Sequence, residues 1–195
     1  MFRVCGLLLA SLFLLNSCSN EQKAASDNTT NKPTTQAKIS PLSTLDSVAT
    51  TELMNMVHHY YGLKDALVAT DGAKADESAS RLMSAAEIFL AEHASGGVNT
   101  EQRPLVEAIM KQSDSITHSK PDDIEAKRRH FAALSDAMYK VVSSVKLENA
   151  GIYHQYCPMA FDFAGAYWLS SASEIRNPYF GNKMLECGEV RDSLK

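Results

Sequence analysis

The chain has 195 residues, a net charge of −4 and 45% hydrophobic residues, which suits one folded domain with its own core. Its 19 Lys and Arg are outnumbered by 23 Asp and Glu and form no basic stripe, which argues against nucleic acid as a partner. Beyond residue 17 no apolar run approaches the about 20 residues that a membrane-spanning helix needs.

At the N-terminus, Arg3 and the apolar run Leu7–Leu15 have the charge and length of a signal peptide over residues 1–17. The run ends in Leu15-Asn16-Ser17-Cys18. A leucine three residues before a cysteine, with a small residue directly before it, resembles the lipobox of bacterial lipoproteins. That resemblance implies cleavage before Cys18, lipidation of its thiol and a membrane anchor on the periplasmic side or the outer membrane. Several acyl chains, at about 0.8 kcal/mol per buried methylene, make such an anchor stable. Residues 18–44 then form the lipidated cysteine and a tether rich in Ser, Thr, Asn, Gln, Ala and Lys, with no aromatic side chain. As a random coil the tether would span about 30 Å.

Residues 45–150 carry helical periodicity. In a first helix, over about 46–70, Ala49, Leu53, Met56, Tyr60, Leu63 and Leu67 are spaced by three and four. Asp71-Gly72 stops it. A second, over about 73–94, repeats the seam with Ala75, Ala79, Leu82, Ala86 and Phe89, and Gly96-Gly97 breaks it. A third, over about 100–118, has Thr100 as its expected N-cap and Leu105, Ile109 and Ile116 as its face. A fourth, over about 121–147, starts at Pro121 with Asp122 and Asp123 in its first turn, and its seam is Ile124, Phe131, Leu134, Met138, Val141 and Val145. Short loops between amphipathic helices predict an all-α fold, an up-down four-helix bundle with an irregular C-terminal segment packed on it. Within the fourth helix, Lys127-Arg128-Arg129 reads as a solvated face, with Arg128 snorkelling past the seam.

Residues 151–195 lose that periodicity and hold Trp168 with most of the remaining aromatics. Short strands or turns are expected there, and Asn177-Pro178 should open a short helix ended by Gly188. With Cys5 in the leader and Cys18 lipidated, Cys157 and Cys187 are the remaining thiols. Cys157 and Met159 are two apart and share one side of an extended strand. Met184 and Cys187 are three apart and share one face of a helix. Two sulfur pairs of this kind can meet around one ion, and thiolate with thioether selects Cu(I) or another soft metal. His154 is three residues before Cys157, and His130 reaches the same place if the tail folds back over the fourth helix, so both are candidate ligands. The competing reading is a Cys157–Cys187 disulfide, common outside the cytoplasm and contributing about 3 to 4 kcal/mol in the chain-entropy picture.

Residues 153–190, through Tyr153, Gln155, Tyr156-Cys157-Pro158-Met159-Ala160, Gly165-Ala166, Trp168-Leu169-Ser170, Asn177-Pro178-Tyr179, Gly181, Met184-Leu185 and Cys187-Gly188, resemble the domain of unknown function 3347 family. The upstream helices, from Tyr60-Tyr61 with Leu63–Leu67 to His130-Phe131 with Leu134-Ser135, fit it as well. The family occurs in exported Gram-negative proteins and at the end of some copper/silver efflux adaptor subunits. Separately, Tyr156-Cys157-Pro158-Met159 is similar to the Tyr-x-Cys-Pro-Met-His core of small heavy-metal-binding domains, with Ala160 in place of the final His. Both resemblances imply a metal-related role.

The expected function is therefore a lipid-anchored protein that binds copper or a similar soft heavy metal as chaperone, buffer or efflux accessory, with an efflux-system or other envelope protein as partner. The alternative is a non-catalytic envelope interaction module with a structural Cys157–Cys187 disulfide. His93, at the end of the second helix, reads as a helix cap, and Met54 with His58 as surface residues. The sequence lacks a His-Glu-x-x-His zinc motif, a Gly-x-Ser-x-Gly elbow and a phosphate-binding glycine loop, so no catalytic activity is expected.

Overall fold

The computed structural model describes residues 41–93 and 100–194. The expected signal peptide, Cys18 and the expected tether up to residue 40 lie outside the described residues. Four long helices follow one another: α1 Ser47–Val68, α2 Gly72–Glu92, α3 Gln102–His118 and α4 Ile124–Ser144. The seams foreseen for α1 and α2 are fully or almost fully buried, as is that of α4 from Phe131 onward. Asp46, Asp71 and Asp123 cap α1, α2 and α4 by accepting backbone N–H bonds from the first turn. Asp123 is thus a cap, not a first-turn residue, and α3 begins at Gln102 with Glu101 in the cap position rather than Thr100. Ile109 and Ile116 face the core as expected, joined by Val106, while Leu105 is only partly buried. Each helix packs along the next, so the four helices form a bundle.

The fold is mostly helical but not all-α. The tail contains a three-stranded antiparallel sheet of order β2-β1-β3, built from β1 Ile152–Cys157, β2 Ala166–Ser170 and β3 Glu189–Leu194. Cys157 pairs with Ala166 on one side of β1, and Tyr156 with Glu189 on the other. The short strands expected in the tail are thus joined into one sheet, in which two neighbours complete the backbone hydrogen bonds of β1. The short helix expected from Asn177 is reduced to a 3-10 turn at Gly181–Lys183.

Sheet and bundle are joined by an aromatic column. Tyr60 on α1 stacks on Phe131 of α4 at 5.2 Å, Phe131 meets Tyr179 at 6.0 Å, and Tyr179 meets the fully buried Trp168 edge-on at 5.9 Å. The Tyr60 hydroxyl accepts the Leu169 backbone N–H at 2.9 Å and lies 2.8 Å from Ser135 Oγ.

The basic run of α4 is not a solvated face. Lys127 is fully buried, and its Nζ donates to Asp76 at 2.5 Å and to the carbonyls of Ile116 and Ser119. It thereby satisfies carbonyls at the end of α3, which a helix end leaves without partners. Arg128 is also buried and reaches α1 and the tail, so only Arg129 of the three is exposed. The charge of the run had suggested solvent, because the acceptors that bury Lys127 and Arg128 lie in distant segments.

The bundle has two distinct ends. Leu42 bridges to Glu148 beside the start of α1 and the end of α4. Gly181 lies against Val68 and Thr70 at the other end of α1. With α1 22 residues long, the two ends are about 30 Å apart.

Candidate functional site

Strand β1 carries Cys157 to the end of the bundle that holds the start of α4. Its side chain is fully buried, facing the loop of residues 171–188 that folds back over the sheet. Cys187 ends a turn in which its N–H donates to the Met184 carbonyl at 3.1 Å. The two cysteine sulfurs, 30 residues apart in sequence, meet at 3.0 Å as free thiols. Burial and the adjacent Cys157 thiol push the Cys187 thiol up to about 11, against the opposing pull of the Met159 backbone N–H.

The loop bearing Cys187 is held by polar contacts. Buried Gln155 donates from Nε2 to the carbonyls of Ala172, Ser173 and Glu174. Asn177, also buried, donates from Nδ2 to the Cys187 carbonyl and from its backbone N to the Leu185 carbonyl, both at 2.7 Å. Gly188 follows with φ of 149°, where a side chain would press on Trp168 at 2.8 Å, so only glycine fits.

Met159 and Met184 are partly buried and line one cleft of about 350 Å³ with Phe161, Phe180, Glu125 and Arg129. Their backbones adjoin Cys187, through the Met184 carbonyl and the Met159 N–H, but neither cysteine lines that cleft. The local settings of the methionines differ from those expected. Met159 leaves the strand and opens a turn, and Met184 follows the 3-10 turn. In that first turn Phe161, Asp162 and Phe163 have φ of 51°, 56° and 69°, a single turn of left-handed helix. Such a conformation costs L-residues about 1–2 kcal/mol each. It presents Phe163 to solvent at 74% exposure.

The two histidines do not join the sulfurs. His154 is three residues before Cys157, and on a strand that puts them on opposite faces. Its ring is stacked between Tyr139 at 3.7 Å and Tyr167 at 4.6 Å. Burial lowers its pKa, partly offset by Asp192. His130 turns toward α3, where its Nδ1 lies 2.9 Å from Gln112 Oε1. The tail does fold over α4, but it is Arg128 and Arg129 that meet it.

A second polar cluster escaped the sequence reading. His93, in the expected C-cap position of α2, has its Nε2 2.6 Å from Glu52 Oε2, with Glu92 close by. The hairpin turn at residues 69–71 makes α1 and α2 antiparallel; counting equally from it puts Glu52 opposite Ile88, and the side chains reach one helical turn further to bring Glu52 to His93. The arrangement ties α1 to α2 at the Leu42 end.

Among the described residues no helix is long and apolar enough to cross a membrane. A family model described as a protein of unknown function (DUF3347) matches residues 56–150. The match covers α2 to α4 and most of α1, and ends just before β1, so it does not include the cysteine-bearing tail. No curated protein and no solved structure matches the chain.

Proposed function

The chain belongs, through residues 56–150, to the DUF3347 family, whose function is not established, and from its sulfur corner we propose that it is a lipid-anchored envelope protein that binds a soft metal ion. Cys157 and Cys187 supply thiolates, and Met159 and Met184, the two methionines nearest them in sequence, are the candidate thioethers. The ion is Cu(I) or one of similar softness, because thiolate and thioether disfavour Ca and Mg. The observation that carries the reading is the meeting of the Cys157 and Cys187 sulfurs at 3.0 Å. Thiolates sharing a tetrahedral ion at bond lengths of about 2.3 Å stand about 3.8 Å apart. Loading therefore needs the sulfurs to part by under an ångström, which a rotation of half-buried Cys187 supplies. His154 and His130 have no part in this reading. A chaperone, buffer or efflux accessory role without catalysis, with another envelope protein as partner, fits such a site.

The test is a Cu(I) titration against a competing chelator. It uses the full-length chain in mild detergent with Cys5→Ser and Cys18→Ser, fully reduced. One equivalent should bind, and Cys157→Ser with Cys187→Ser should abolish it. Unchanged affinity in that variant rejects the proposal.

A second reading has its own observation. Sulfurs already in contact at 3.0 Å also suit a disulfide that closes a 30-residue loop in an interaction module. Mass analysis of protein purified without reductant distinguishes it, since a permanent structural disulfide would be present throughout and would leave no thiol for metal.

A further inference from the structure

The two thiols are in contact but differ in access. Cys157 has no exposed surface, whereas Cys187 is half-buried at the edge of the loop. The contacts that place Cys187 do not involve sulfur. Asn177 holds its carbonyl, Gln155 holds residues 172–174, and Arg128 holds the Pro178 carbonyl. The loop therefore keeps its place whether or not the sulfurs are bonded. Joining them requires an approach of about 1 Å to the usual bond length. A pair that is fixed by its surroundings and reachable from one side only is suited to repeated opening and closing.

We propose that Cys157–Cys187 is a reversible dithiol–disulfide latch with divided roles: Cys187 exchanges with an external disulfide donor, and Cys157 is the resolving thiol. Deprotonated Cys187 attacks one sulfur of the donor disulfide, forming a mixed disulfide and releasing one donor thiol. Deprotonated Cys157 then attacks the Cys187 sulfur, forming the internal disulfide and releasing the second donor thiol. Two electrons pass from the cysteine pair to the donor, and the two protons lost by the cysteines are matched by those gained on the donor thiols. Closure removes both thiolates, so the oxidised chain does not hold the soft metal. This gating rests on the metal reading above, whereas the order of exchange rests on the sulfur geometry alone.

The experiment uses the full-length Cys5→Ser, Cys18→Ser chain in mild detergent, with oxidised glutathione as donor and intact-mass analysis as readout. The parent should lose two hydrogens and retain no glutathione. Cys157→Ser should accumulate one adduct on Cys187, located by peptide mapping. Cys187→Ser should react about tenfold or more slowly, reflecting access, until urea exposes Cys157. Cooperative thermal unfolding verifies that each variant is folded, and Cys157→Ala replaces any variant that is not. Equal rates in the two single variants, or a lasting adduct on the parent, overturn the latch. Cu(I) binding by the oxidised chain as tight as by the reduced one overturns the gating. If the reduced chain binds no Cu(I) but the exchange runs in the stated order, the metal reading falls and the latch stands.

Discussion

The guanidinium of Arg128 on α4 donates from Nε to the backbone carbonyl of Pro178 in the tail, 2.9 Å away and buried. The same group reaches the Leu67 carbonyl and the Thr70 hydroxyl at the end of α1, and pairs with Glu125 at 2.7 Å. One side chain thus fastens two helices and the cysteine-bearing loop.

Replacing Arg128 by Met should destabilise the protein by about 3 kcal/mol, because it leaves buried carbonyls without donors. Arg128→Lys should recover only part of that, since an ammonium cannot reproduce the planar fork. Urea unfolding followed by circular dichroism measures both.

Tyr60→Phe removes the hydroxyl that accepts the Leu169 N–H and meets Ser135, all of it buried. The stacking on Phe131 survives the change, so the expected loss is that of unsatisfied polar groups, about 1–3 kcal/mol. Ser135→Ala in the Tyr60→Phe background should cost less than in the parent, and a double-mutant cycle reads the difference.

The left-handed turn yields the opposite sign. Phe163 has φ of 69° and is mostly in solvent. Phe163→Gly relieves about 1–2 kcal/mol of backbone strain, while the freer unfolded chain takes back about 0.5–1 kcal/mol. A net gain of about 0.5 kcal/mol is expected in the same unfolding assay.

His154 gives a pH dependence. Burial holds its pKa below the ordinary 6.5, so on acidification the unfolded chain takes up a proton before the folded one does. Its contribution is complete above pH 6.5 and is lost as pH falls from there toward the lowered folded value. In His154→Phe, whose ring can still stack between Tyr139 and Tyr167, the fall in stability between pH 6.5 and 5 should be shallower. Thermal unfolding of both proteins across that range checks it.

At neutral pH the Cys187 thiol, pushed up to about 11, carries its proton. A soft metal must displace it, so Cu(I) affinity should rise with pH by up to about tenfold per unit for each proton released. Competition titrations at pH 6.5 and 8 measure the slope.

The helices were legible because each presents one apolar seam to the core, and three-four spacing reports that directly. Short strands or turns were expected in the tail, but their bounds and their pairing into a sheet were not legible, because β1 is covered on both faces. Tyr139 and Tyr167 enclose His154 on one side, and the 171–188 loop covers Gln155 and Cys157 on the other. Alternation between apolar and polar residues is lost when neither face meets water. Pairing of Cys157 with Cys187 could be read from there being two thiols, but their separation and the polar frame around them could not. His154 was misplaced by treating three residues as one step toward the sulfurs, when strand parity sends it the other way. Lys127 and Arg128 looked like solvent-facing charges because their acceptors lie in distant segments.

The opposite ends of the bundle bear on the proposed anchor. Residue 41, where the described chain begins, sits beside the start of α1, and the sulfur corner sits about a helix length away, beside Gly181 and the start of α4. A chain moored by its N-terminus would behave as a buoy on a line. In the proposed anchored state the moored foot would take the tension, and the head that carries the thiols would be the part free to sweep the surrounding space and meet a partner.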